Sequence, residues 1–277
     1  MIKSWTIPGS DGEAILGDSH VPDASPRGTL VICHGFKGYK DYGFFPRLAE
    51  AAAAAGLVAH RFNFSHSGMT NRLDTFERPD LFERDTWNRQ VHDLGCVVRH
   101  VTTGAEALQL PVVVFGHSRG GVTALLAAGR GLAVAGVVTA AAPDSACSLD
   151  EDQQAMLRRV GHLVSPSSRT GQDLRVGRAW LDEIESDPMG HDPCRVMAAL
   201  QLPTLVIHGD ADATVPVQAA RRLVAASGHR AELLVIPGAD HVFGATNPLP
   251  RDAPLSVATQ LLFEAVISFA LRCCETG

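Results

Sequence analysis

The chain has 277 residues, close to the upper size of a single hydrophobic core, so we expect one large domain with room for an inserted segment. Its charged fraction is 19% and its hydrophobic fraction 45%, which is typical of a globular protein and excludes a largely disordered one. The net charge of −6, without a basic stripe, argues against a nucleic-acid partner.

The cysteines and the apolar runs bear on where the protein works. Six Cys residues show no CxxC motif or regular spacing, and residues 1–9 lack the apolar core of a secretory signal, so a reduced, cytoplasmic protein is expected. The longest apolar run, residues 131–143, is shorter than the roughly 20 residues that span a bilayer. We therefore expect no membrane partner. The oligomeric state, monomer or homodimer, stays open.

Short apolar, β-branched runs followed by turn signals predict a series of buried strands. These runs are residues 29–33, 57–64, 111–115, 134–140, 203–207 and 232–236. Segments of helical character lie between them or follow them, at residues 44–55, 85–101, 120–128, 217–226 and 255–273. Two earlier runs, 4–8 and 13–19, predict an antiparallel hairpin. This alternation predicts an α/β fold with a mainly parallel sheet that helices cover on both sides.

One interval interrupts the alternation of strands and helices. Residues 144–200 contain no strand-like run, but they contain two predicted helices, at 150–163 and 172–186. A segment of this length exceeds a plain connection between secondary-structure elements. We therefore predict a core formed by residues 1–143 and 201–277, with residues 144–200 inserted as a helical cap over the sheet.

The sharpest local motif lies between the predicted strand 111–115 and the predicted helix 120–128. Residues 116–121 read Gly-His-Ser-Arg-Gly-Gly, which fits G-x-S-x-G in the strand-turn-helix context that the motif needs. Such a turn holds the serine in a sparsely allowed backbone conformation, and its glycines avoid collisions with the adjacent strand and helix. Ser118 is therefore the predicted nucleophile.

A serine hydroxyl needs a general base, and the base needs an acceptor that fixes its tautomer. Two loops that follow later strands offer these groups, because one carries Asp212 and the other carries His241. The order Ser118, Asp212, His241 is the order of nucleophile, acid and base that this kind of fold uses. We predict these three residues as a catalytic triad.

Other residues compete for the roles of acid and base. Asp210 in the same loop and Asp144 after an earlier strand are alternative acids. Asp210 and Asp212 could also be read as a metal site, although no histidine or carboxylate cluster at ligand spacing accompanies them. His208 belongs to the acid loop, and His229 precedes the last strand, at the opposite end of the sheet from the expected site.

Four motifs together resemble those of α/β-hydrolase serine hydrolases, in particular dienelactone-hydrolase-like and cinnamoyl- or feruloyl-esterase-like enzymes. They read His-Gly-Phe at 34–36, Gly-His-Ser-Arg-Gly-Gly at 116–121, His-Gly-x-x-Asp-x-x-Val-Pro at 208–216 and Gly-Ala-x-His at 238–241. The resemblance covers nearly all of the chain except residues 144–200. It implies the α/β-hydrolase fold, and within the acidic loop it places the triad acid at Asp212, with a turn-stabilising role for Asp210.

The resemblance also implies a reaction. In this fold the backbone N–H after the nucleophile and one from an early loop hold the oxyanion, which assigns these donors to Arg119 and Phe36. The expected activity is hydrolysis of carboxylic esters of small acyl or aryl substrates through an acyl-enzyme, with no cofactor and no metal. The same triad serves peptidases and thioesterases, so both stay open. A non-catalytic ligand-binding protein is a hypothesis of a different class.

The predicted cap is the segment expected to select the substrate. Trp180 and Met156 either line the pocket or form the core of the cap, and residues 69–87 are expected at the pocket rim. The arginines of the cap are interleaved with Asp and Glu, a pattern that favours a solvated surface of mixed charge.

Overall fold

The computed structural model describes residues 1–104 and 108–275. The strands are β1 (Ile2–Pro8), β2 (Ala14–His20), β3 (Gly28–Cys33), β4 (Leu57–Asn63), β5 (Val112–His117), β6 (Gly136–Ala140), β7 (His162–Pro166), β8 (Asp173–Gly177), β9 (Thr204–Gly209) and β10 (Glu232–Ile236). Eight of them form one sheet in the order β1-β2-β4-β3-β5-β6-β9-β10, and β7 and β8 form a separate antiparallel hairpin. In the large sheet β2 runs antiparallel to β1 and β4, and the other neighbours are parallel.

Helices cover both faces of the large sheet. They are α1 (Phe45–Ala54), α2 (Pro79–Glu83), α3 (Trp87–Thr103), α4 (Arg119–Gly129), α5 (Glu151–Val160), α6 (Ala179–Ser186), α7 (Pro193–Ala199), α8 (Gln218–Ala226) and α9 (Val257–Glu275). Apolar side chains of α1 and α9 pack in the core on one face, and those of α3, α4, α7 and α8 pack in the core on the other. The predicted α/β-hydrolase fold, a mostly parallel sheet between helical layers, is confirmed.

The central strands are apolar on both sides because both of their faces are covered. In β3, Leu30 and Ile32 belong to the core of α1 and α9, while Val31 and Cys33 belong to the opposite core. All four side chains have at most 1% of their surface exposed. Such strands appear in the sequence as continuous apolar runs, which is why their positions could be predicted.

The chain changes direction in the sheet at β3. The next strand, β4, pairs on one side of β3, and β5 pairs on the other side. The loops after β3 and β5 therefore leave the carboxyl edge of the sheet next to each other. In open α/β sheets this is the place where ligands bind, and it brings the loop of Phe36 beside Ser118.

The prediction that residues 144–200 lack strands is wrong. The segment contains the hairpin β7–β8, and the helix predicted from residue 172 begins only at Ala179. Each strand has only five residues, and the exposed Val164 in β7 breaks the alternation of apolar and polar residues, which leaves a weak signal. A two-stranded hairpin becomes stable by packing, and here Leu163 and Val176 lie against the cluster that contains Trp180.

The hairpin is held against residues that precede α2. The Gln172 side chain accepts a hydrogen bond from the Phe76 backbone N–H at 2.8 Å and donates to the Phe76 carbonyl at 3.0 Å. The Arg169 guanidinium lies over the rings of Tyr39 and Phe76, at 4.6 and 5.0 Å from their centroids. Lys37 donates a hydrogen bond to the Pro166 carbonyl at 2.7 Å. The cover over the sheet therefore consists of the inserted segment and of residues near 76 together.

Helices α7 and α9 both pack in the layers that cover the large sheet. Helix α7, at the end of the inserted segment, packs beside α4 and α8 in the layer that covers the sheet, and its Met197 is 1% exposed in that core. Helix α9 is the one helix in the described residues that is long and apolar enough to cross a membrane by length and composition. Its side chains Leu262, Val266 and Phe269 are buried in the core against the sheet.

Candidate active site

The turn after β5 places Ser118 at the carboxyl edge of the sheet, where α4 begins. Its backbone has φ 53° and ψ −123°, a conformation that is costly for a residue with a side chain. A Cβ on Gly116 would lie 2.2 Å from the Gly120 carbonyl oxygen, and one on Gly120 would lie 2.5 Å from the carbonyl oxygens of Cys33 and His34. Only glycine fits at these two positions, which explains why the motif has this spacing.

The structure brings Ser118, His241 and Asp212 together. His241 Nε2 lies 3.1 Å from Ser118 Oγ, and His241 Nδ1 lies 2.8 Å from Asp212 Oδ2. The carboxylate accepts the Nδ1 proton, so Nε2 carries a lone pair directed at the serine hydroxyl. This is the geometry that a serine nucleophile and its base require.

Asp212 is held as a carboxylate by four donors. Its Oδ1 accepts hydrogen bonds from the backbone N–H groups of Thr214 and Val215, each at 2.8 Å. Its Oδ2 faces His241 and also His208, whose Nε2 lies 3.3 Å away. Burial of Asp212 opposes ionisation, but hydrogen bonds from His208, His241 and Val215 outweigh that effect and hold its pKa well below the usual value.

His208 was predicted only as part of the acid loop, and the structure shows what it contacts there. Its Nε2 lies 2.8 Å from the Val215 carbonyl oxygen. A carbonyl can only accept, so Nε2 carries the proton and the ring also directs that proton toward Asp212. The ring is fully buried, and its Nδ1 has no hydrogen-bond partner among the described residues. The sequence motif contains this histidine, but its contact with the acid is visible only in the fold.

The alternative acids and the alternative base lie elsewhere or serve other contacts. Asp210 accepts a hydrogen bond from the Gly238 backbone N–H at 2.6 Å and so joins the two loops of the site. Asp144 forms an ion pair with Arg222, and His229 is exposed before β10. Across residues 1–104 and 108–275, no group of three or more His, Cys, Asp or Glu side chains could hold a metal ion.

His117, next to the serine, supports the loop that carries the base. Its Nε2 donates to the His241 carbonyl oxygen at 2.8 Å, and its ring packs edge-on against Phe44. Burial, with a smaller contribution from the nearby His241, lowers the pKa of His117 to about 3. His117 is therefore a neutral donor that fixes the position of the His241 main chain.

The loop after β3 brings the second expected oxyanion donor to the site. His34 orders this loop, because its Nε2 accepts from the Phe64 N–H at 3.2 Å and its Nδ1 donates to the Gly35 carbonyl at 2.9 Å. Burial lowers the pKa of His34 to about 4, so the ring is neutral. Within the described chain, the backbone N–H groups of Phe36 and Arg119 make no hydrogen bond. Both are therefore available to a substrate oxygen.

Two chambers meet at Ser118. The smaller one, of about 70 Å³, is lined by Tyr42, Phe45 and His241 on the side of the early loop. The larger one, of about 350 Å³, lies between the sheet and the inserted segment and is lined by Trp87, Trp180 and Arg119. The 42% exposed Phe36 borders both chambers. Ser118 therefore has a small space on one side and a larger one on the other.

The cap residues separate into two groups. Trp180 lines the larger chamber, whereas Met156 is 44% exposed and does not line it. Arg158 pairs with Glu185, and Arg178 pairs with Asp182, all on exposed surface. These cap arginines form the mixed-charge surface that their pattern indicates. The arginine in the cavity is instead Arg119, for which the sequence predicts a role of the backbone N–H but none of the side chain.

Comparison with known proteins assigns the chain to a family. The family model described as serine aminopeptidase, S33, matches residues 24–196, more than half of the chain. The chain belongs to this family. The match includes Phe36, Ser118 and Arg119 but ends before Asp212 and His241, so it gives no support for those two residues.

One sequence relative and two solved structures are similar to this S33-family chain over most of its length. A monoacylglycerol lipase from Mycolicibacterium smegmatis is 28% identical over 261 residues, which cover 84% of this chain and 88% of that protein. Est1E from Butyrivibrio proteoclasticus superposes with a TM-score of 0.69 at 17% identity, over 98% of both chains. A putative hydrolase from Agrobacterium vitis S4 superposes with a TM-score of 0.74 at 20% identity, over 98% of this chain and 99% of that one. The resemblance to α/β-hydrolases is confirmed, and the chain is a hydrolase.

Proposed function

We propose that this S33-family chain hydrolyses carboxylic esters, with Ser118 as nucleophile, His241 as general base and Asp212 as the acid that orients the base. One observation carries the proposal. A continuous series of contacts runs from Asp212 Oδ2 through His241 to Ser118 Oγ, with distances of 2.8 and 3.1 Å, and ends where two chambers meet. The similarity to a monoacylglycerol lipase supports an ester as the bond that is cleaved.

The reaction follows from these positions. Ser118 Oγ attacks the ester carbonyl while its proton moves to His241 Nε2, and the tetrahedral oxyanion binds to the N–H groups of Phe36 and Arg119. Collapse of this intermediate breaks the ester bond, and the departing alcohol takes the proton from His241. Water then attacks the acyl-serine and gives its proton to His241, and the second tetrahedral intermediate collapses as Ser118 Oγ takes that proton back and the acid is released. Asp212 remains ionised throughout and stabilises the imidazolium.

The lining of the chambers favours an ester over the N-terminus of a peptide. An aminopeptidase must hold the ammonium group of its substrate close to the nucleophile, and a carboxylate is the usual partner for such a cation. Among the described residues that line the two chambers there is no Asp or Glu, and the charged side chain in the larger one is Arg119. Its cation would repel a substrate ammonium group, whereas an ester carries no such charge.

Comparing substrates and variants tests the proposal. The purified chain and Ser118→Ala are assayed on p-nitrophenyl esters of increasing acyl length, on alanine p-nitroanilide and on a butyrate thioester. We expect turnover of short-chain esters, and a loss in kcat of at least about a thousandfold in Ser118→Ala. A fluorophosphonate probe should label Ser118, as located by peptide mass spectrometry. Ser25→Ala, an exposed serine away from the site, serves as the labelling control.

Three other results of these assays would contradict the proposal in whole or in part. Near-normal ester hydrolysis by Ser118→Ala, or a label on another residue, would remove Ser118 as nucleophile. A higher kcat/KM on the anilide or on the thioester than on every ester would assign a peptidase or a thioesterase. Neither labelling nor turnover of any substrate would assign a non-catalytic binding protein.

A further inference from the structure

Arg119 is the one charged residue among the described residues that line the larger chamber, whose other lining residues are apolar, aromatic or uncharged polar. Its side chain extends from the first residue of α4 and has only 11% of its surface exposed. Its guanidinium lies 4.5 Å from the ring centroid of Trp87, 5.7 Å from that of Phe36 and 5.8 Å from that of Trp180. These four side chains line the same larger chamber beside Ser118.

The hydrogen-bonding capacity of this guanidinium is not used by the protein. Arg119 Nε and Nη2 are buried and have no hydrogen-bond partner in the described part of the chain. The side chain contacts the Asp85 carboxylate at 3.2 Å, but without hydrogen-bond geometry. A buried N–H donor without an acceptor destabilises the folded protein, and more so when the group is charged. Nη1 is not among these buried atoms, so it is the nitrogen that a ligand oxygen in the chamber can approach.

Two carboxylates accompany Arg119, and both lie outside the cavity lining. Asp85 and Glu183 are mostly buried beside the guanidinium, and neither is among the residues that line the larger chamber. Burial raises the pKa of Asp85 to about 6, although the neighbouring Arg119 opposes that shift. Asp85 and Glu183 thus offset the charge of Arg119 from outside the chamber lining, whereas Arg119 itself lines the chamber.

We propose that the larger chamber selects esters that carry a second, remote oxygen acceptor, above all a free carboxylate, which binds the guanidinium of Arg119 between Phe36, Trp87 and Trp180. This inference rests on the proposed ester hydrolysis and specifies its substrate class. A guanidinium N–H is suited to a carboxylate because the two form a charge-assisted hydrogen bond, which is stronger than one between neutral groups. The aromatic rings exclude water from the contact, which strengthens it. The smaller chamber takes the short group on the other side of the ester bond.

Pairs of substrates that differ only in a carboxylate or a methyl group test this inference. Monomethyl succinate is compared with methyl butyrate, which places the charge on the acyl side. Acetoxyacetate is compared with ethyl acetate, which places it on the alcohol side. Hydrolysis is followed by titration of the released acid at pH 7.5 and constant ionic strength. We expect kcat/KM to favour the carboxylate by about tenfold to a hundredfold in at least one pair, the range for a charged hydrogen bond.

Variants show whether Arg119 causes the preference. Arg119→Met keeps the length of the stem and removes the charge, so the ratio should fall by at least about tenfold. Arg158→Met removes an exposed arginine of the cap that does not line the chamber, and it should leave the ratio unchanged. If Arg119→Met does not fold, as judged by circular dichroism, Arg119→Lys replaces it. Lys keeps the charge but not the planar fork, so the ratio should fall by at least about threefold.

The outcomes separate this inference from the function on which it rests. Hydrolysis of all four substrates without preference for the carboxylate, or a preference that every Arg119 variant retains, would refute the role of Arg119 and leave ester hydrolysis intact. Absence of hydrolysis in all four, together with turnover of p-nitrophenyl esters, would refute this inference alone, whereas absence of turnover of every ester would refute both proposals. If Arg158→Met also removes the preference for the carboxylate, the preference comes from the overall charge of the cap, and a specific site at Arg119 is refuted.

Discussion

Replacing Asp212 by Asn tests the relation between acid and base most directly, because the surroundings of this residue fix how an amide would orient. The backbone N–H groups of Thr214 and Val215 both point at Oδ1. The amide oxygen must therefore occupy that position, and the NH₂ group must take the place of Oδ2. There it faces the protonated Nε2 of His208, which the Val215 carbonyl holds as a donor, and Nδ1 of His241.

The expected loss follows from a change of tautomer. His241 can satisfy the new NH₂ group only by carrying its proton on Nε2, and that nitrogen can then no longer accept the proton of Ser118. We expect kcat to fall by about ten-thousandfold, the size of loss known when a triad aspartate becomes asparagine, which corresponds to ~5.5 kcal/mol in the activation free energy. The assay is burst-phase and steady-state hydrolysis of p-nitrophenyl acetate.

The control is the same chemical change two residues earlier. Asp210 accepts one hydrogen bond from the Gly238 N–H, which an amide oxygen can also accept, so Asp210→Asn should keep kcat within about fivefold of the original. The reasoning is refuted if Asp212→Asn stays folded and retains kcat within about tenfold. Equal losses in the two variants would show that the loop as a whole matters, and not the acid.

Two further predictions concern residues next to Ser118, and a third concerns the buried His60 in β4. His117→Phe keeps the ring but removes the hydrogen bond to the His241 carbonyl, so kcat should fall by about five- to twentyfold; an unchanged kcat would show that the loop is held without it. Gly120→Ala should lower the urea-unfolding free energy by more than ~2 kcal/mol because its Cβ would meet two carbonyl oxygens, whereas Gly95→Ala in α3 meets no atom within 4 Å and should leave it unchanged or raise it. Burial lowers the pKa of His60 to about 3, so unfolding binds a proton below the ordinary value of 6.5. Stability should therefore fall by about 1.5 kcal/mol for this residue between pH 6.5 and pH 5, and a His60→Gln variant with the same pH dependence would contradict this.

Much of the core and the sharp turn at Ser118 could be predicted because their signals are local. Buried parallel strands require apolar residues at every position, and the turn at Ser118 requires glycines at two fixed positions, so both leave a pattern within a few residues. The hairpin β7–β8 leaves no such pattern, since each strand has five residues and is stabilised by contacts with Trp180 and with residues near Phe76. Its existence depends on partners that are distant in sequence.

The assignment of acid and base illustrates the same limit. The order of Ser118, Asp212 and His241 could be predicted, but the sequence alone left Asp210 and Asp144 as alternatives. The structure separates them because it shows which carboxylate faces His241 Nδ1 and which is engaged by Gly238 or by Arg222. That distinction depends on the relative placement of three loops, and a single sequence does not contain it.

The amino-acid sequence by itself thus determines the class of fold and the position of the sharp turn at Ser118, the proposed nucleophile, because backbone sterics and the burial of central strands act on neighbouring residues. Only the tertiary structure decides what surrounds these groups. It places His208 on the acid, His117 on the main chain of the base, and the guanidinium of Arg119 between three aromatic rings. The contacts of His117 and Arg119 join residues far apart in the chain, and the contact of Arg119 with Trp180 depends on the packing of the inserted segment over the sheet.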